Sequence, residues 1–443
     1  MSRAAPDASW DPLLVCVAGY LATSVGRLHQ LFPVLLPLKP ALVSAVLAIA
    51  LYALRPSGPR RIDRIRAPTT TYVLLLLLWM ALSVPGALNQ GRAFWALAGD
   101  FVKTVILYVL IVASVRGFRD VERLAFVYFS AALIFALVVL ARFQVGSADW
   151  RLGTLYDYDA NDFATFAVSA MPLGLCLALS PGKLHRRLIG ALGLGPLLVA
   201  FVWSGSRGGL LALLATIAFL LSRYTAVRAK WRVLGAALIV AALTTVASAK
   251  YWTQMTTLLH PHEDYNLTSE VGREKTWRRG IGYMLAHPLF GLGADNFAEA
   301  EGTISPRASL HQYGIGVRWN APHNSFVQVG AELGVPGLVL LLAVIGSAWA
   351  LLRRVGRSHA ASDVKQRGPP HLAQALMASL LGFVVGAFFL SLAYSDMLYA
   401  LLALAVALAK VSSLDERRAQ ALSAYETGVV PPRDSRLIGD PHP

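Results

Sequence analysis

One histidine, three arginines and an amide have the types and settings to do chemistry at a membrane surface. His323, in Pro322-His323-Asn324-Ser325, stands where a long polar stretch meets a very apolar run, so its imidazole sits at the water boundary and can exchange protons near neutral pH. Arg207 stands alone in Ser204-Gly205-Ser206-Arg207-Gly208-Gly209, a tight turn between two apolar runs. Its planar fork and the open backbone amides of the glycines suit phosphate oxygens. Two readings fit it: an anion site, or an interfacial arginine reaching for lipid phosphates. Arg273 opens Arg-Glu-Lys-Thr-Trp and shares a helix face with Trp277, while Glu274 and Arg278 pair on the next face, leaving Arg273 with the less structural explanation. Arg151 and Asn161, in RLGTLYDYDAND, add a cation and an amide just before an apolar run.

Competing chemistry is thinner. Asp157-Tyr158-Asp159 has the D-x-D form that can hold a divalent metal, and His260, His262, Glu263 and Asp264 form a second possible ligand cluster without regular spacing, which reads as a solvated loop. No GxxxxGK[ST] loop occurs, so ATP use has no support, and Gly205-Ser206 is too small a fragment of a hydrolase elbow. Cys16 and Cys176 both lie inside apolar runs, which offers neither a disulfide framework nor a thiolate site.

The elements that must position these groups are membrane helices. With 56% hydrophobic and 15% charged residues and a mean hydropathy of +0.54, the chain reads as an all-α polytopic membrane protein. About twelve apolar runs appear, near 12–35, 40–54, 68–88, 96–115, 121–143, 162–180, 187–204, 208–222, 231–248, 324–352, 372–392 and 395–412, the second and eighth short for a bilayer of about 30 Å. The net charge of +15 could invite nucleic acid, but the cations concentrate in every second short loop, as in RPSGPRRIDRIR and RRVGRSHAASDVKQR. That is how orientation is encoded, and it places both termini in the cytoplasm and the candidate site on the outer face. Arg3 and the following apolar run, with no small-residue cleavage site, read as an uncleaved first helix.

The expected organisation is helices one to nine over 1–248, a large outer loop over 249–323, helices ten to twelve over 324–413, and a cytoplasmic tail over 414–443. Acidic and basic residues balance in the large loop, which predicts folded structure, with a helix in SEVGREKTWRRGIGYMLA ended by Pro288. After His323, Gly330, Gly334 and Gly337 predict one small-residue helix face. Glu332, nine residues on, falls about 13 Å deeper on the other side and is not expected to partner His323.

The element His323-Asn324, nine residues, Gly334, two residues, Gly337 resembles the signature of bacterial lipopolysaccharide O-antigen ligases, in the O-antigen ligase and polymerase superfamily. SGSRGG, the REKTW…HPLFGLG segment and RLGT…AND resemble further features of that family, and the likeness runs from about residue 70 to 412. The resemblance implies a GT-C-like architecture of twelve helices with a large periplasmic loop before the tenth. It implies transfer of a polysaccharide from undecaprenyl diphosphate to lipid A-core, in the periplasmic leaflet of a Gram-negative inner membrane, without metal, nucleotide or other cofactor. Arg207, Arg273 and His323 match the family's functional arginines and histidine, and Asp396, in the last outer turn, matches its functional aspartate by topology. An O-antigen polymerase or protein O-oligosaccharyltransferase of the same superfamily is the alternative. A transporter would instead carry inverted repeats and midplane charges.

Overall fold

The computed structural model describes residues 9–54, 60, 66–142, 151–152, 158–181, 183–260, 268–269, 272–306, 308, 321–358 and 368–426, with side chains described to residue 421. Each of the twelve apolar runs carries a helix: α1 Pro12–Ser24, α2 Pro40–Leu54, α3 Pro68–Ser83, α4 Val102–Ser114, α5 Phe118–Arg142, α6 Ala160–Leu179, α7 Leu184–Ser204, α8 Arg207–Arg223 and α9 Ala229–Val246, then, after α10 Arg273–Ala286, α11 Ser325–Ser358, α12 Pro369–Ala387 and α13 Asp396–Glu426. Among the described residues, ten helices are long and apolar enough to cross a membrane, so the chain is a polytopic all-α membrane protein. The other two runs give α1, with 13 residues, and α8, with 17.

The expected first run, 12–35, is not one helix. It breaks after Ser24, where Arg27 takes φ 49°, and resumes as the short turns Leu28–Leu31 and Pro33–Leu38 leading into α2. Arg27, Pro33 and Pro37 interrupt an otherwise apolar stretch, and each proline removes a ladder donor. The apolar stretch of α13 is almost wholly buried and forms the axis of the bundle, whereas α2 and α9 bury little of theirs and stand at its margin. Around α13 pack α4, α11, α12 and α5, with α6 joined to α12 and α5, and α7 joined to α6 and α5.

The small-residue face expected on α11 needs a correction. Gly334 takes φ 69° and ψ −171°, breaking α11 into two pieces. The broken ladder is taken up by the segment after α10: Leu292 N–H donates to Ala331 O, Gly293 N–H to Glu332 O, and Val335 N–H to Pro288 O, each at 2.9 Å. The Trp79 indole donates to Leu333 O at 3.0 Å while its ring stacks on Phe290. A helix interrupted at membrane depth must re-satisfy its backbone within the protein, and the HPLFGLG segment does so here. Gly334 therefore works through its backbone rather than through a smooth helix face: a Cβ there would lie 2.4 Å from Leu289 O.

The described part of the large loop is folded, as its charge balance predicts. Tyr283, Leu292, Phe297, Ala300 and Ala331 make a small core of their own, and Arg279 clasps Glu301 at 2.6 Å with the Tyr283 hydroxyl donating to the same carboxylate at 2.9 Å. Glu332 is buried at the start of the short helix Phe297–Thr303, within 3.4 Å of Phe297 N, and belongs to this cap rather than to His323.

Candidate active site

At one end of the bundle the starts of α6, α8, α10, α11 and α13 meet the ends of α7 and α12. Two residues before α11 stands His323, with φ 45°, a left-handed backbone uncommon for a residue that carries a side chain. Three contacts impose it. The Trp277 indole N–H on α10 donates to Pro322 O at 2.7 Å, His323 N–H donates to Ser391 Oγ at 3.0 Å, and Asn324 Oδ1 caps α11 by accepting from Phe326 and Val327 N–H at 2.9 and 3.1 Å. Next along, Ser325 Oγ donates to Leu390 O and accepts from Leu392 N–H, both at 2.8 Å. The turn between α12 and α13 thus grips the chain at His323 from one side and α10 grips it from the other. As a residue His323 is exposed.

The arginines arrive at the first turns of helices. Gly205, in the left-handed conformation, ends α7; Ser206 Oγ caps α8 by accepting from Gly209 N–H at 3.1 Å, and this throws Arg207 out at the first position, where Nη1 donates to Thr257 Oγ1 at 2.6 Å. Arg273 opens α10, with its guanidinium 6.0 Å from the centre of the Phe389 ring. Phe389 also presses on the Arg207 turn, so closely that a Cβ on Gly208 would come within 2.9 Å of it. One phenylalanine in the α12–α13 turn is therefore the floor between the two arginine-bearing turns, two residues before the serine that holds His323. Its neighbour Phe388 meets Trp277 edge to face at 5.4 Å.

Arg151 and Asn161 turn out to be partners. Arg151 Nη2 donates to Asn161 Oδ1 at 2.9 Å and Nε donates to Ser204 O at 2.7 Å, fastening the end of α7 to the start of α6 beside Arg207. Burial holds the Arg151 pKa below its ordinary value; Asp159 opposes that shift and the charge of Arg207 adds to it. Asp159 caps α6, accepting from Asn161 and Asp162 N–H at 2.7 and 2.8 Å. It is also the carboxylate that His323 senses. Partial desolvation, then the positive charge of Arg273, lowers the His323 pKa, and Asp159 alone pulls it back up.

The structure thus brings His323, Arg273, Arg207, Arg151 and Asn161 to one end of the bundle, linked through Phe389 and Asp159. Asp396 reaches the same end but has other contacts: Thr104 Oγ1 donates to it, and Arg27 and Lys103 are the cations beside it, with Arg27 lying 5.6 Å over the Tyr158 ring. Asp396 makes no hydrogen bond to His323. Of the possible metal ligands, Asp157, His262, Glu263 and Asp264 lie outside the described residues, and Asp159 is engaged as a helix cap. Sequence reasoning missed Phe389 and Ser391, which carry no charge and no motif. The only signal was their place, the last short turn on the face already chosen for Arg207.

A polytopic all-helical membrane protein with arginine-bearing helix starts and a surface histidine at one end of its bundle is the class these features define. Residues 192–342, from within α7 through the break in α11, match the family model described as O-Antigen ligase, which supports membership of the O-antigen ligase superfamily. Arg207, Arg273, His323 and Gly334 fall inside the match; Arg151, Asn161 and Asp396 fall outside it. No curated protein matches the chain.

Proposed function

We propose that the protein is an O-antigen ligase, a glycosyltransferase that moves a polysaccharide from undecaprenyl diphosphate to lipid A-core. The observation that carries this reading is the common footing of the Arg207 and Arg273 turns on Phe389, beside the anchored His323. The Arg207 turn and the Arg273 guanidinium both meet Phe389, and two arginines so placed suit a diphosphate. As the bond from the sugar's anomeric carbon to the diphosphate oxygen breaks, negative charge grows on that oxygen, and the arginines neutralise it without a metal. The acceptor hydroxyl attacks the same carbon from the opposite face and inverts it, giving its proton to the neutral imidazole of His323.

Arg151 and Asn161 keep the Arg207 turn in place and line the donor side. Asp396 acts as a positioning residue, tying the start of α13 to Thr104 and so steadying the turn that carries Phe389 and Ser391. The polyprenyl tail needs an apolar path, and a cavity of about 370 Å³ between α6, α7, α8 and α9, walled by Leu175, Leu213, Ile217 and Ile239, offers one. The distribution of basic loops supports a multi-pass inner-membrane protein with cytoplasmic termini, the site facing the periplasm, and the division at 249–323 and 324–413. Purified protein incubated with lipid-linked glycan and lipid A-core, with and without a chelator, tests the reading. Glycan on lipid A-core in both samples is expected; growth of the lipid-linked chain instead would mark a polymerase, and activity that vanishes with EDTA and returns with Mg²⁺ would sink the metal-free mechanism.

A further inference from the structure

At the end of the bundle away from His323 lies a cavity of about 610 Å³ between the start of α3, the end of α11 and the middle of α13. Its polar lining is strongly basic: Arg66, Arg354, Lys410 and Arg417 against the single carboxylate of Glu416. Two of these charges sit where the backbone adds to them or holds them. Arg66 precedes α3, whose first turn begins at Pro68 and has no side-chain cap, so the positive end of that helix opens into the cavity. Lys410 is buried, with Nζ donating to Val112 O at 2.7 Å and Val115 O at 3.1 Å, which pins an ammonium at the end of α4.

A second feature, independent of charge, points to a ligand. Ser412, 4% exposed, lines the same cavity, and its buried Oγ has no hydrogen-bond partner. A buried hydroxyl without a partner costs stability unless something fills the space and meets it. Leu351, Val355, Val406 and Leu414 add an apolar part to the lining. From the rim, α3 continues with Leu74, Leu75 and Leu78 exposed, a surface that suits acyl chains.

We infer that this cavity binds the phosphate headgroup of an anionic phospholipid, with Arg66, Arg354 and Arg417 on the phosphate oxygens, Ser412 Oγ donating to one of them, and the acyl chains lying along α3. The site stands on its own cavity and charges and does not depend on the reaction proposed at the other end. Basic pockets between membrane helices are where such headgroups lodge, each arginine adding roughly fivefold to the affinity.

Delipidated protein titrated with short-chain phosphatidylglycerol, phosphatidylcholine or inorganic phosphate, read by thermal unfolding, tests this. Phosphatidylglycerol is expected to raise the Tm saturably while phosphatidylcholine does not, and the triple variant Arg66→Gln, Arg354→Gln, Arg417→Gln is expected to need on the order of 10²-fold more lipid. A rise of the same size with inorganic phosphate alone would assign the cavity to free phosphate and overturn the lipid. Undiminished affinity in the triple variant, or an equal response to phosphatidylcholine, would overturn the site. Should the triple variant fail to fold, the exposed Arg354→Gln and the buried Ser412→Ala, each measured for phosphatidylglycerol retained through purification, decide the matter: retention at the parent level in both refutes the proposal.

Discussion

Gly334→Ala is the substitution for which the structure gives the sharpest expectation. The glycine's φ of 69° and ψ of −171° lie in a region that only glycine occupies without strain, which costs an alanine about 2 kcal/mol. The new methyl would sit 2.4 Å from Leu289 O and 2.5 Å from Pro288 O, neither of which can yield without the backbone moving. That movement sacrifices the bond from Val335 N–H to Pro288 O, worth about 1 kcal/mol. A loss of about 3 kcal/mol is therefore expected. Thermal unfolding in detergent, followed with a fluorogenic thiol reagent that reports exposure of buried Cys176, measures it. Gly346→Ala is the control, because a Cβ there meets nothing within 4 Å and the helix is regular, so it should melt at or slightly above the parent. Equal melting of Gly334→Ala and Gly346→Ala would refute the account of the break in α11.

His323→Ala should lower turnover by about 10² or more while leaving donor binding in place, since the diphosphate's ligands remain; glycan transfer and lipid-donor binding on the same preparation read the two separately. Arg207→Lys and Arg273→Lys keep the charge but lose the fork, so both donor affinity and turnover should fall, and a parent-like KM in either would remove that arginine from the diphosphate. A base works deprotonated, and the His323 pKa lies below its ordinary 6.5, so activity should hold at pH 7 and decline only on acidification below that value. Asp159→Asn, which keeps the helix cap but removes the charge that raises this pKa, should move the decline to still lower pH; a shift upward would contradict the pairing. In a variant with both native cysteines replaced, Thr303→Cys, which is exposed, should react with an impermeant thiol reagent in spheroplasts, and Arg357→Cys should not; the reverse pattern would invert the topology.

The helices were legible in the sequence because spanning a bilayer demands long apolar runs, and each of the twelve runs carries a helix. What escaped was local and set by backbone. Nothing in the spacing of Gly330, Gly334 and Gly337 distinguishes a smooth small-residue face from a break, because both demand glycine; only the carbonyls of Pro288 and Leu289, brought in from forty-odd residues upstream, tell them apart. Arg207 and Arg273 stood out because a cation on that face lacks the usual explanation, whereas Phe389, an apolar residue in an apolar stretch, could not stand out at all. Arg151 and Asn161 stand in the sequence as two separate polar groups, and only the packing of α6 beside α7 brings out the bond between them.

The placement of both arginine turns around Phe389 bears on how a catalytic cycle would end. Guanidiniums that meet the diphosphate of an incoming donor meet the same diphosphate on the spent carrier, so what draws the donor in also detains what is left behind. With the glycan gone, the carrier keeps its charged head and its tail, the two parts the pocket and the apolar cavity would hold. On the proposed function, escape of that lipid rather than bond making is the step expected to set the pace, and added undecaprenyl diphosphate should compete with donor.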